Sequence, residues 1–198
     1  MNKLLIVFAI VGTLMLGAGS VSAQNYSATQ GDILVLGTAN TRSWSLQTET
    51  LDCKATINIA KGIMEISTLS LFIKVEDLKG HNVWMNTYAY KALKAYPFGD
   101  IIYKGVYFTE SPENENNFII KIEGNLTIAG VTRITPVLVK AYVSEKGNII
   151  CSGSTPIKMS DFKVQLPPSE KRRMEVGDEV ILSFSIELQP VVPSSPLN

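Results

Sequence analysis

The chain has 198 residues, 45% of them hydrophobic and 18% charged, enough to bury one sizeable core and too apolar for a disordered polymer. Its 18 basic residues balance its 18 acidic ones with no block of like charge, which argues against a nucleic-acid partner, since counterion displacement needs a concentrated basic surface. The densest cluster, Glu170-Lys171-Arg172-Arg173, reads as a solvated loop.

Lys3, the apolar run 4–16, the break Gly17-Ala18-Gly19-Ser20 and the closing Val21-Ser22-Ala23 have the order of a secretory signal peptide (1–23), with a cut expected after Ala23. No Cys follows the run to accept a lipid, and no later stretch has the ~18–20 unbroken apolar residues of a membrane helix. The mature chain is therefore expected to be periplasmic or secreted, with no integral membrane segment. Residues 24–30 read as a polar linker, 31–189 as one domain, and the Pro- and Ser-rich 190–198 as a disordered tail.

Within the domain the dominant pattern is alternation with period two, which predicts strands at 33–38, 53–60, 63–75, 101–109, 118–128, 131–143 and 148–157, and a last one centred on 180–188. In 118–128 the residues Phe118, Ile120, Ile122, Gly124, Leu126 and Ile128 share one face. In 63–75 the apolar parity changes between Ile66 and Leu69, which predicts an extra residue near Thr68. Turn signals separate the strands, and Ala129-Gly130 is short enough for a tight hairpin. Between the third and fourth strands Trp84, Met85, Tyr88, Ala89, Ala92, Leu93 and Tyr96 recur at three and four residues, predicting one short helix near 83–96 capped by Asn82. Residues 160–177, with Pro167-Pro168, read as irregular.

Eight strands left as an open sheet would expose two long edges. A closed barrel and a two-layer sandwich both solve this. Apolar stretches of about ten residues favour the barrel, which at eight strands can hold one small ligand. The interior-lining candidates are Tyr103, Phe118, Ile120, Ile122, Val137, Val139, Leu182, Phe184 and Ile186, each of which could equally be ordinary core. Catalytic chemistry finds little support. His81 is the one histidine, it sits in a loop, and no Gly-x-Ser-x-Gly elbow presents a serine. No metal spacing is visible and no cofactor is expected. Cys53 and Cys151 could pair in an oxidising compartment or remain buried thiols, and the sequence leaves both open.

Three stretches together resemble the YceI-like family: Gly37-Thr38-Ala39-Asn40-Thr41-Arg42-Ser43-Trp44; Gly124-Asn125-Leu126-Thr127-Ile128-Ala129-Gly130-Val131-Thr132-Arg133; and Met159-Ser160-Asp161-Phe162, followed by Pro167-Pro168 and Val176-Gly177-Asp178-Glu179-Val180. Ile134 and Lys163 depart from it, standing where proline and glycine are usual. The resemblance implies an all-β, eight-stranded antiparallel, lipocalin-like barrel with a helix beside it. It also implies an exported, non-enzymatic protein that carries an isoprenoid or lipid-like chain inside. A homodimer is compatible with this reading. The alternative is an interaction or scaffold module whose barrel is filled by its own side chains.

Overall fold

The computed structural model describes residues 23–192 except 41, 61, 115 and 166–174. The expected signal peptide, the Pro167-Pro168 stretch and most of the tail lie outside the described residues.

Eight antiparallel strands follow one another around a closed barrel: β1 (Gln24–Ala39), β2 (Arg42–Ala60), β3 (Ile63–Lys74), β4 (Asp100–Asn114), β5 (Asn117–Ile128), β6 (Val131–Val143), β7 (Ile149–Lys158) and β8 (Glu179–Pro190). β1 pairs with both β2 and β8, which closes the barrel and decides against the sandwich. Side chains of alternate residues line the interior, from Ile33 and Leu46 at one end to Phe118 and Ile149 at the other.

The first two strands are longer than their alternation suggests. Residues 24–30, read as a linker, are the first half of β1, laddered from Gln24 opposite Ile57 to Ala28 opposite Cys53. Only Tyr26 and Ala28 turn inward there, too few apolar residues to register as a strand. β2 starts at Arg42 rather than 53, with Thr48 taking a buried inward position. A register shift follows, closed by the amide of Thr50 donating to Thr48 Oγ1 at 3.1 Å. The tail also starts later than read, because the amide of Val191 donates to the carbonyl of Asn25 at 2.7 Å and prolongs β8 along β1.

The parity change in β3 is a bulge, since Thr56 faces Thr68 but Ile57 faces Ile66, leaving Ser67 extra. Ala129 and Gly130, both at positive φ, form the two-residue turn between β5 and β6. Between β3 and β4 stand a short 3-10 turn at Val75–Asp77 and the helix α1 (Val83–Ala92). Asn82 caps α1 by accepting from the amide of Met85 at 2.9 Å. Met85, Ala89, Ala92 and Leu93 pack on the barrel, while Trp84 and Tyr96 face solvent, so the apolar stripe is narrower than its spacing implies.

The chain between β7 and β8 is tied to the β1–β2 turn. Val176 bridges to Ala39, the amide of Gly177 donates to Thr38 O at 2.9 Å, and that of Asn40 donates to Glu175 O at 2.6 Å. Asp178 accepts from the amide and the hydroxyl of Ser160 at 2.8 and 2.7 Å, which holds its carboxyl below the usual range. This fixes the 3-10 turn Met159–Phe162 and seats Phe162 and Val164 in the core. The turn ends at Lys163 with φ 54 and ψ 31, a left-handed conformation that favours glycine. Lys163→Gly is expected to raise stability by about 0.5–1 kcal/mol, read as a higher urea midpoint at unchanged slope. A lower midpoint would count against stored strain at this position.

Two ladders are short. β3 and β4 pair only from Ser70–Lys104 to Lys74–Asp100, and β6 and β7 only from Val139–Gly153 to Val143–Ile149. Beyond the second, the continued register sets Pro136 opposite Pro156, and neither can donate. Beyond the first, the strands part and the Glu110 side chain spans the seam, its Oε2 accepting from the amide of Met64 at 2.9 Å.

Candidate functional site

A cavity of about 110 Å³ runs inside the barrel, walled by 25 residues drawn from all eight strands. β3 contributes five wall residues from Met64 to Ile73, whereas β4 contributes Ile101 and Tyr103 alone, and its second half is not laddered to β3.

Eight of the nine positions expected from the sequence stand on this wall: Tyr103, Ile120, Ile122, Val137, Val139, Leu182, Phe184 and Ile186. Phe118 does not. At 1% exposure it is packed between Pro112 and Ala141 at the end of the barrel. The candidates omitted β1, β2, β3 and β7, which add Ile33, Ala55, Ile57, Leu69, Leu71 and Ile157 among others. Those strands were visible as alternation, and carrying inward parity through the Ser67 bulge would have found them.

The wall is apolar because each hydroxyl on it is turned into backbone. Tyr103 lies across Gly124, where a Cβ would stand 2.5 Å from its Cζ. Its hydroxyl reaches the carbonyls of Thr135 at 3.0 Å and Ile122 at 3.2 Å. Burial pushes that phenol up from 10.0 to about 12, and the nearby Glu123 charge adds to the shift. Thr155 donates to Pro136 O at 3.3 Å, and Thr135 to Arg133 O at 3.5 Å.

Cys53 and Cys151 both line the cavity and both are free thiols. Burial raises each from 9.0 to about 12, with Asp52 adding to the shift of Cys53 and Cys53 to that of Cys151. A thiolate inside this cavity is disfavoured, so the stabilisation gained from the neutral thiols is complete below pH 9 and is lost as pH rises toward about 12. Tyr103 acts in the same direction above pH 10. The melting temperature should therefore fall steeply above pH 9, and maleimide at neutral pH should leave the buried Cys53 unlabelled until denaturant is added. Rapid labelling of Cys53 in the folded protein would contradict this burial.

His81 stands exposed in the loop before α1, outside the barrel. Among the described residues no group of three or more His, Cys, Asp or Glu could hold a metal ion, and no helix is long and apolar enough to cross a membrane.

Eight strands closed around a central apolar cavity, with a helix inserted between the third and fourth, define the lipocalin-like class of barrel. Within that class the chain belongs to the YceI-like domain family, whose model matches residues 35–188. The structure is similar to a polyisoprenoid binding domain from Saccharophagus degradans implicated in plant cell wall breakdown, with a TM-score of 0.66 at 8% identity, covering 86% of this chain and 100% of that one. It is similar to BcnA of Burkholderia cenocepacia, with a TM-score of 0.64 at 16% identity, covering 79% and 95%. The YCEI protein of Campylobacter jejuni follows with a TM-score of 0.51 at 19% identity, covering 78% and 85%. Identities this low carry the fold and not the ligand. No curated protein matches the sequence at a significant level.

Proposed function

We propose that this protein is an exported, non-enzymatic carrier that sequesters a slender apolar chain, isoprenoid or lipid-like, inside its barrel. The observation that carries this reading is the apolar cavity, with every wall hydroxyl turned to a backbone carbonyl. Such a wall has little to offer a polar substrate. Each methylene buried contributes roughly 0.8 kcal/mol. Lost translation and chain ordering offset much of it. The polyisoprenoid-binding domain from Saccharophagus degradans, which shares the fold, supports the same class of cargo. Export is supported by the leader-like 1–23 and by β1 beginning at Gln24, so that a cut after Ala23 would spare the barrel. A mature protein from the host beginning elsewhere would count against that cut.

The test is a titration of delipidated protein with isoprenoid alcohols of increasing length. Affinity should rise with each added unit until the cavity is full and then level off. Affinity independent of length, or no binding, would favour the module that uses its outer surface.

A further inference from the structure

One polar group on the inner side of the barrel is half used. Glu110 pairs across the ladder with Ile120, and directly paired residues project to the same side of a sheet, so Glu110 faces inward beside a wall residue of the cavity. Its Oε2 is occupied by the amide of Met64, another wall residue. Its Oε1 is buried and has no hydrogen-bond partner among the described residues. A carboxylate only accepts, and a buried carboxylate oxygen is costly to leave unpaired, so Oε1 is an acceptor with capacity for a donor. It lies where the backbone ladder between β3 and β4 has ended.

We propose that Glu110 is the head-group site of the barrel, accepting a hydrogen bond from the O–H or N–H that ends an apolar chain. This rests on the carrier reading and narrows it. The cargo is an amphiphile with a donor at its head, a long-chain alcohol or amine, in preference to a fatty acid. A carboxylate head brought to Glu110 would set two like charges together.

The experiment compares tetradecanol, its methyl ether and tetradecanoate, each titrated into delipidated wild-type protein and into Glu110→Gln, with bound ligand counted by native mass spectrometry. Wild-type protein should bind the alcohol at least about tenfold more tightly than the ether or the carboxylate. Glu110→Gln keeps a carbonyl for the Met64 amide and presents an N–H in place of the free oxygen. It should lose the preference for alcohol over ether and favour tetradecanoate. Equal wild-type affinities for alcohol and ether would overturn the head-group site and leave the carrier reading standing. So would an undiminished alcohol preference in folded Glu110→Gln. Binding of none of the three by folded wild-type protein would overturn both. If the variant does not fold, the wild-type comparison of alcohol with ether decides alone.

Discussion

Ile122→Trp is expected to block uptake of an apolar chain while the barrel stays folded. Ile122 is 4% exposed and sits mid-strand on β5, opposite Val137, with its side chain on the cavity wall. Nearly all the space available to a larger side chain there is the void itself. The indole would take up much of its roughly 110 Å³. Displacing even three methylenes of cargo removes about 2.4 kcal/mol, roughly sixtyfold in affinity. The overpacking penalty is about 1–3 kcal/mol, which a domain of this size shows as a fall of about 2–4 °C in Tm per kcal/mol. Circular dichroism and a chain titration on one sample check both halves. Undiminished binding in a folded variant would place the ligand outside this cavity.

Gly124→Ala is expected to lower stability far more than a single added methyl usually does. The new Cβ would lie 2.5 Å from Tyr103 Cζ and 2.7 Å from the Lys104 carbonyl, and the second neighbour is backbone that cannot move aside. Displacing the Tyr103 ring also removes its hydroxyl from two buried carbonyls. Overpacking plus that loss gives about 3 kcal/mol, or about 6–12 °C in Tm. Tyr103→Leu should lower stability by itself but recover part of the Gly124→Ala penalty in the double variant, because the ring clash is then gone. Strict additivity would show that the glycine is needed for something other than the tyrosine.

These two positions also show how much the sequence could say. Alternation located all eight strands and the phase change in β3, because a barrel strand with one apolar face carries its fold in its own residues. The three family-like stretches mark contacts distant in the chain. Gly37 leaves room for the Trp44 indole that lies across it, Gly124 for Tyr103, and Thr38 holds Gly177 from the last stretch. Lys163 replaces glycine where φ is positive, which explains the usual residue without disturbing the turn. Other features were hidden where inward positions are polar or small. Tyr26, Ala28 and Thr48 did not make a hydrophobic pattern, so both 24–30 and the first half of β2 were missed. The seam and Glu110 were invisible for a different reason. In the continued register Glu110 stands opposite Met64, and only the parting of the two strands turns an ordinary glutamate into a bridge with one oxygen to spare.

The most direct test of the account is native mass spectrometry of the protein purified gently from its own host, followed by organic extraction of the released species. The account predicts an added mass that leaves on extraction as an isoprenoid or lipid-like chain ending in a hydroxyl or an amine. A bare polypeptide mass, unchanged after incubation with long-chain alcohols, would contradict it and point to a barrel that acts through its outer surface.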